Sequence, residues 1–182
     1  MLAHNSRTDV TTPAELIYAV GRWADETDFE EFVRLGKQAN SFDEKALYLD
    51  AIAKVQDEQL GQRALELALD KEIPPALGAR IPRVAAAGLK NADLAWDFFN
   101  VHSAQLLPTL DPVVRGRYVV RLGTRYCSNA RANAFEALAK TGLGGEVSAA
   151  AVKAAETTRS CAALKARELN TIDRWIGAHG TG

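Results

Sequence analysis

The sequence lacks the residue patterns on which catalytic and metal sites depend. Its 182 residues include only two cysteines and three histidines, and no histidine has a second histidine or a cysteine at metal-ligand spacing. A nucleophile elbow, a phosphate-binding glycine loop and the H-E-x-x-H zinc motif are all absent from the sequence. We therefore expect no catalytic residue, no bound cofactor and no metal in this chain.

An excess of charge of one sign is also missing, as are long apolar runs. Lysine and arginine together number 22 and aspartate and glutamate 23, which gives a net charge of −1 at pH 7. This balance provides no electrostatic reason to expect nucleic acid or an anionic membrane as a partner. No apolar run approaches the ~20 residues that span a bilayer, and the first residues lack the apolar stretch of a signal peptide.

The two cysteines, Cys127 and Cys161, are too few for a disulfide framework or a metal site. We expect two half-buried thiols that pack as small apolar side chains. Cys127 and His102 could act as nucleophile and base only if the fold brought them together, and no motif indicates that it does.

What the sequence does contain is alanine, leucine and clear signals for helix starts. Capping residues precede several apolar stretches, and no stretch alternates with period two for long enough to indicate a strand. The proposed N-caps and capping boxes begin at Thr12, Thr27, Ser41, Asp57, Asp111 and Ser128. Nine helices are predicted, at about 13–25, 27–38, 41–55, 57–69, 76–87, 92–107, 112–126, 128–140 and 148–177.

Helices of this length, joined by short loops, predict an all-α fold of stacked helical hairpins, a HEAT/armadillo-like α-α superhelix. Pro82 lies inside the fifth predicted helix and indicates a kink or a late start. Residues 1–11 are predicted to be a flexible N-terminal segment or an added start, and residues 12–182 a single helical-repeat domain.

Two groups of side chains attract interest. The aromatic group of Trp96, Phe98 and Phe99 is predicted to fill the core between helices. The second group is a basic cluster around Tyr118, formed by Arg115, Arg117, Arg121 and Arg125. These arginines could be a solvated face that pairs with acids such as Glu136 or Asp111, or a basic patch that holds a carboxylate such as a peptide C-terminus.

A series of short passages resembles a known family. Residues 42–53 and 57–69 are similar to the leucine- and alanine-rich passage in the C-terminal domains of zinc aminopeptidases. Leu94–Phe99 resembles the A-W-x-F signature of that family, and residues 115–118 and a long last helix follow in the same order. The family is that of aminopeptidase N, puromycin-sensitive aminopeptidase and the endoplasmic-reticulum aminopeptidases. One departure is His102-Ser103, where many relatives carry Asn-Trp.

The resemblance implies a function. The chain would be the non-catalytic C-terminal domain of a zinc aminopeptidase, capping the active-site chamber and controlling peptide access. Its partners would be peptide substrates and an upstream catalytic domain of the same polypeptide, which would hold the zinc and use it to release N-terminal amino acids. We accordingly expect the chain to be a piece of a longer polypeptide.

Within that function, Arg115, Arg117 and Arg121 are the candidate substrate-contacting residues. They would attract the carboxylate end of a peptide, because the planar fork of arginine grips a carboxylate with two hydrogen bonds. The alternative is a free-standing helical-repeat adaptor that binds a protein or peptide on a concave face. A small all-α enzyme is disfavoured by the missing catalytic constellation.

Overall fold

The structure is a computed structural model that describes residues 13–88, 90–123 and 126–179, and every regular element in these ranges is helical. The all-α prediction is therefore confirmed, and no strand occurs in the ranges described. The predicted N-terminal segment 1–11 and the capping residue Thr12 lie outside them. The α-helices are α1 (Pro13–Arg22), α2 (Glu26–Gln38), α3 (Phe42–Ile52), α4 (Glu58–Glu66), α5 (Pro75–Gly78), α6 (Arg80–Ala87), α7 (Ala92–Leu106), α8 (Pro112–Gly123), α9 (Asn129–Ala139) and α10 (Gly145–His179).

Four helices begin at the capping residues that the sequence predicts, and α8 is one of them, because the Asp111 side chain accepts a hydrogen bond from the Val113 amide. The side chain of Ser41 accepts a hydrogen bond from the Glu44 amide, and Asp57 accepts one from the Leu60 amide. Ser128 caps α9 in the same way. Each cap satisfies a backbone N–H that has no partner within its own helix. Short 3-10 turns extend α4 to Leu69 and α7 to Thr109.

The predicted start of α2 at Thr27 is wrong. The cap is Asp25, whose carboxylate accepts a hydrogen bond from the Asp28 amide at 3.0 Å. Thr27 lies inside the first turn. Both residues can cap a helix, but Asp25 has the extended backbone that a capping residue needs, and its charge interacts favourably with the positive end of the helix.

Proline and glycine explain two further helix boundaries. The fifth predicted helix is divided at Ala79, so that Pro82 falls in the first turn of α6, where a missing backbone N–H costs no hydrogen bond. The last helix begins at Gly145 rather than near residue 148. The loop before it has positive φ angles at Gly142 and Gly144, which glycine adopts without steric cost.

The helices pack as neighbouring pairs around a shared apolar core. Helix α3 packs against α1 and α2, α6 packs against α7 and α8, and α10 packs against α8 and α9. The most deeply buried large side chains are spread along the chain and include Phe29, Leu49, Ile52, Leu65, Leu77, Ile81, Phe99, Leu106, Leu122 and Phe135. This arrangement is that of a helical bundle or superhelix.

The aromatic group lies where the sequence predicts. Trp96 is 2% exposed and Phe99 is fully buried, while Phe98 packs against the core from a partly buried position. The Trp96 ring meets the edge of Phe135 at a centroid distance of 4.8 Å. The predicted role of Trp96 in core packing is therefore confirmed.

The prediction of two thiols is wrong, because Cys127 and Cys161 form a disulfide. Their Cα atoms lie 5.0 Å apart, and the bond joins the segment before α9 to the middle of α10. The two residues are 34 positions apart in the sequence. Only the packing of α9 against α10 brings them together, and residue spacing gives no sign of that packing.

Helix α10 extends beyond the helices that support it. Its first half is buried through Val147, Ala151 and Ala154, but its second half carries an exposed apolar stripe. The stripe consists of Leu164, Leu169, Ile172, Trp175 and Ile176. Within the part of the chain that the structure describes, no helix combines the length and apolar character needed to cross a membrane.

Candidate functional site

A groove of about 530 Å³ separates α8 from α10, and we call it the α8–α10 groove. Its apolar wall is formed by Val113, Gly116, Val120, Ala150 and Ala154. The two helices come close together at Gly116, where an added Cβ atom would lie 2.9 Å from the carbonyl oxygen of Glu146. The absence of a side chain at this position allows the close approach.

Arg117 and Arg121 lie along this groove, together with Lys153 and one acid, Glu146. The two arginines are four residues apart on α8, so they share one side of the helix. Both are exposed. Neither side chain makes a hydrogen bond or an ion pair with any residue that the structure describes. Their guanidinium groups can therefore bind an anion.

Arg115 occupies a different position from the other two candidates. Its Nε donates to the Leu110 carbonyl at 3.2 Å, and its Nη1 lies 3.9 Å from a carboxylate oxygen of Glu146. It does not contribute to the lining of the α8–α10 groove. The structure thus brings Arg117 and Arg121 together and places Arg115 to one side. The fourth predicted arginine, Arg125, lies outside the described residues.

The acids considered as partners of these arginines are engaged elsewhere. Glu136 accepts a hydrogen bond from Arg159 at 2.7 Å, and this bond lowers the pKa of the Glu136 carboxyl below its usual value. Asp111 accepts a hydrogen bond from the backbone amide of Val113 at the start of α8. Neither acid neutralises the arginines of the groove.

One functional candidate was not recognised from the sequence. Arg83 lies on α6, and it lines a second, smaller pocket together with Arg117 and Arg121. Arg83 and Arg117 are separated in the sequence by the whole of α7, and only the packing of α6 against α8 brings them to the same pocket. Spacing along the chain does not reveal such a contact.

Metal ligands are not gathered anywhere in the described ranges. Within residues 13–88, 90–123 and 126–179, no group of three or more histidine, cysteine, aspartate or glutamate side chains could hold a metal ion. His102 instead packs against Phe98, with ring centroids 4.5 Å apart.

The family model described as the ERAP1-like C-terminal domain matches residues 11–160. The chain belongs to this family. No curated protein sequence matches the chain. Membership in the ERAP1-like C-terminal domain family indicates the non-catalytic domain of an aminopeptidase, and so agrees with the resemblance that the sequence carries. Helices α6 and α8, with all three arginines of the smaller pocket, lie within the matched residues.

Proposed function

We propose that this ERAP1-like C-terminal domain caps the active-site chamber of a zinc aminopeptidase and controls which peptides enter it. The family assignment supports the proposal, since it indicates an aminopeptidase with its catalytic domain in the same polypeptide. The zinc would be held by that catalytic domain. The described residues of this chain offer no suitable ligand set, so no chemical step is assigned to them.

The observation that carries the proposal is the pair of unpartnered arginines beside an apolar groove. A peptide C-terminus presents a carboxylate next to a side chain, and the α8–α10 groove offers Arg117 and Arg121 beside Val113 and Val120. In this proposal the two arginines contact the carboxylate directly. Arg115 adds positive charge but little direct contact, because Leu110 and Glu146 already engage its guanidinium group.

The proposal is tested in the complete aminopeptidase that contains this domain. Cleavage of a free-acid peptide is compared with cleavage of the same peptide carrying a C-terminal amide, before and after Arg117→Gln. We expect the parent to prefer the free acid and the variant to lose that preference by about three- to tenfold. The change should appear mainly in KM, because the contact is remote from the reacting bond.

A matched control removes an arginine that does not line the groove. Arg167 has a largely exposed side chain on α10 and pairs with the adjacent Glu168. Arg167→Gln makes the same change in net charge and should leave the ratio of the two substrates unaltered. If Arg117→Gln affects both substrates equally, or neither, the arginines do not bind the peptide carboxylate.

A further inference from the structure

A second pocket, of about 270 Å³, lies on the α6 side of α8, and we call it the arginine pocket. Arg83 comes from α6, Leu110 precedes α8, and the remaining side chains belong to α8 itself. The lining is completed by Val114, Arg117, Tyr118 and Arg121. Three of the six lining residues are arginines and none is acidic, so the pocket concentrates positive charge in a small volume.

The three guanidinium groups of the arginine pocket have no counter-charge. Among the residues that the structure describes, none of them forms a hydrogen bond or an ion pair. Several other arginines of this chain are paired: for example, Arg80 binds Asp50, and Arg159 binds Glu136. Three arginines that line one small pocket make the electrostatic potential there positive, and this potential attracts an anion.

Tyr118 lines the same pocket, and its hydroxyl is a hydrogen-bond donor that has no partner among the described residues. Tyr118 is 4% exposed, and its hydroxyl oxygen is buried without a hydrogen-bond partner among the described residues. Burial raises the pKa of this hydroxyl well above its usual range, and the nearby charge of Arg83 offsets the rise only in part. The hydroxyl therefore stays protonated at neutral pH. A buried polar group of this kind is costly unless something accepts its hydrogen bond.

We infer that the arginine pocket binds a small doubly charged oxyanion, a phosphate or phosphoryl group, through Arg83, Arg117, Arg121 and Tyr118. A carboxylate carries one negative charge and would leave most of the positive charge uncompensated. A phosphate group carries up to two and presents several acceptor oxygens, which suits three guanidinium groups and a phenol. Leu110 and Val114 form an apolar wall beside the anion, where lower polarity strengthens the attraction.

This inference goes beyond the proposed role in peptide access and does not depend on it. Arg83 and Tyr118 do not line the α8–α10 groove, whereas Arg117 and Arg121 line both cavities. Occupation of the arginine pocket would therefore draw Arg117 and Arg121 away from a peptide in the groove. An oxyanion bound here would weaken the preference for free-acid peptides in the complete enzyme.

Binding is measured by calorimetry and by thermal unfolding on the 182-residue chain itself, without any peptidase assay. The probes are inorganic phosphate and phenyl phosphate at about pH 8, where a phosphate monoester is doubly charged because its second pKa is about 6. Acetate and chloride, at matched ionic strength, are the control anions. We expect one phosphate per chain and a rise in Tm of roughly 5–10 °C at about a hundredfold excess over Kd.

Two variants and one control identify the pocket. Arg83→Gln should weaken phosphate binding at least about tenfold, and Tyr118→Phe about fivefold, because each removes one hydrogen bond to a charged ligand. Tyr118→Phe removes an unpartnered hydroxyl, so the ligand-free protein should keep its Tm. Arg34→Gln removes an exposed arginine of α2, which is paired with Glu31, and should leave phosphate affinity unchanged.

The outcomes separate the sources of the ligand and the two proposals. Binding of inorganic phosphate alone would identify a free ion as the ligand, whereas equal binding of phenyl phosphate would identify the phosphoryl group of a larger molecule. The inference is overturned if acetate binds as well as phosphate, if no phosphate binds, or if Arg83→Gln leaves its affinity unaltered. The peptide assay with Arg117→Gln is run without phosphate, so its result can support or contradict the proposed function independently of these outcomes.

Discussion

The guanidinium group of Arg131 lies over the ring of Trp96, with 4.4 Å between the Cζ atom and the ring centroid. The centroid of the Tyr126 ring lies 4.5 Å from the same Cζ atom, and Asp93 forms an ion pair with the guanidinium group. Burial lowers the pKa of Arg131, while the neighbouring Asp93 carboxylate raises it. Arg131 of α9 is thus joined to α7 through the Trp96 ring and the Asp93 carboxylate.

Replacing Trp96 by alanine should lower the free energy of unfolding by about 3–5 kcal/mol, the usual cost of removing a large aromatic side chain from a core. The change removes the stacking surface of Arg131 and the edge contact with Phe135. Urea unfolding monitored by circular dichroism measures this loss of unfolding free energy. Trp96→Phe keeps an aromatic ring and should cost less. An unfolding free energy that is unchanged in the alanine variant would contradict the packing described for Trp96.

The ion pair between Arg80 and Asp50 predicts an asymmetric response to mutation. Arg80 makes three hydrogen bonds to the carboxylate, two from Nε and one from Nη2, at 2.6 to 3.0 Å, and this contact raises the pKa of Arg80. The Asp50 side chain is 7% exposed and the Arg80 side chain 40%. Loss of Arg80 leaves the buried Asp50 carboxylate without its hydrogen-bonding partner. Loss of the Asp50 charge leaves the Arg80 guanidinium group, which water can reach.

We therefore expect Arg80→Gln to cost about 2–3 kcal/mol of unfolding free energy and Asp50→Asn about 1 kcal/mol. Equilibrium urea unfolding of both variants measures the difference. The double variant should cost less than the sum of the two single changes, because the residues are in direct contact. The reverse order of the single variants would show that the burial of Asp50 does not determine the energetics.

The Cys127–Cys161 disulfide should stabilise the C-terminal helices. It closes a loop across 34 positions, for which the chain-entropy estimate is about 3–4 kcal/mol. A variant with both cysteines changed to serine should unfold at a lower temperature than the oxidised parent, and reduction of the parent should have a similar effect. Reductant should not change the melting temperature of the serine variant. Equal melting temperatures for the oxidised and reduced parent would rule out a contribution from this bond.

The chain on its own should show no aminopeptidase activity and should hold no stoichiometric zinc. The reason is the missing ligand set, since the sequence lacks the H-E-x-x-H motif and has only three histidines. Metal analysis after dialysis and an assay on aminoacyl-anilide substrates check both expectations. One tightly held zinc per chain, or turnover that follows the purified protein through chromatography, would contradict them.

The features predicted correctly from the sequence are those determined by neighbouring residues. Ser41, Asp57 and Ser128 cap helices because a short polar side chain reaches an amide three positions ahead. The error at α2 has the same origin, since Asp25 and Thr27 are both competent caps and only the backbone conformation selects between them. Local signals thus predicted the type of the elements correctly, but nine helices were predicted where the described residues form ten α-helices, because the fifth is divided at Ala79.

The candidate site was only partly predictable, because its members come from different helices. The spacing of Arg117 and Arg121 on α8 indicated a shared side of one helix, and the structure places both along the same groove. The participation of Arg83 depends on how α6 packs against α8, and the disulfide depends on how α9 packs against α10. Such contacts depend on how the whole core is assembled, and no short stretch of sequence predicts that arrangement.

The unsupported second half of α10 has a consequence for how the molecule unfolds. Most side chains beyond Ala162 are exposed, so the backbone hydrogen bonds there are protected mainly by the helix itself. Most of the stability of a helix in a protein comes from tertiary packing, and this segment has little of it. Fraying from His179 should proceed towards Cys161 and stop there, because the disulfide fixes that turn to the segment before α9. The rate of amide hydrogen exchange should therefore change from fast to slow within a single turn of α10 next to Cys161.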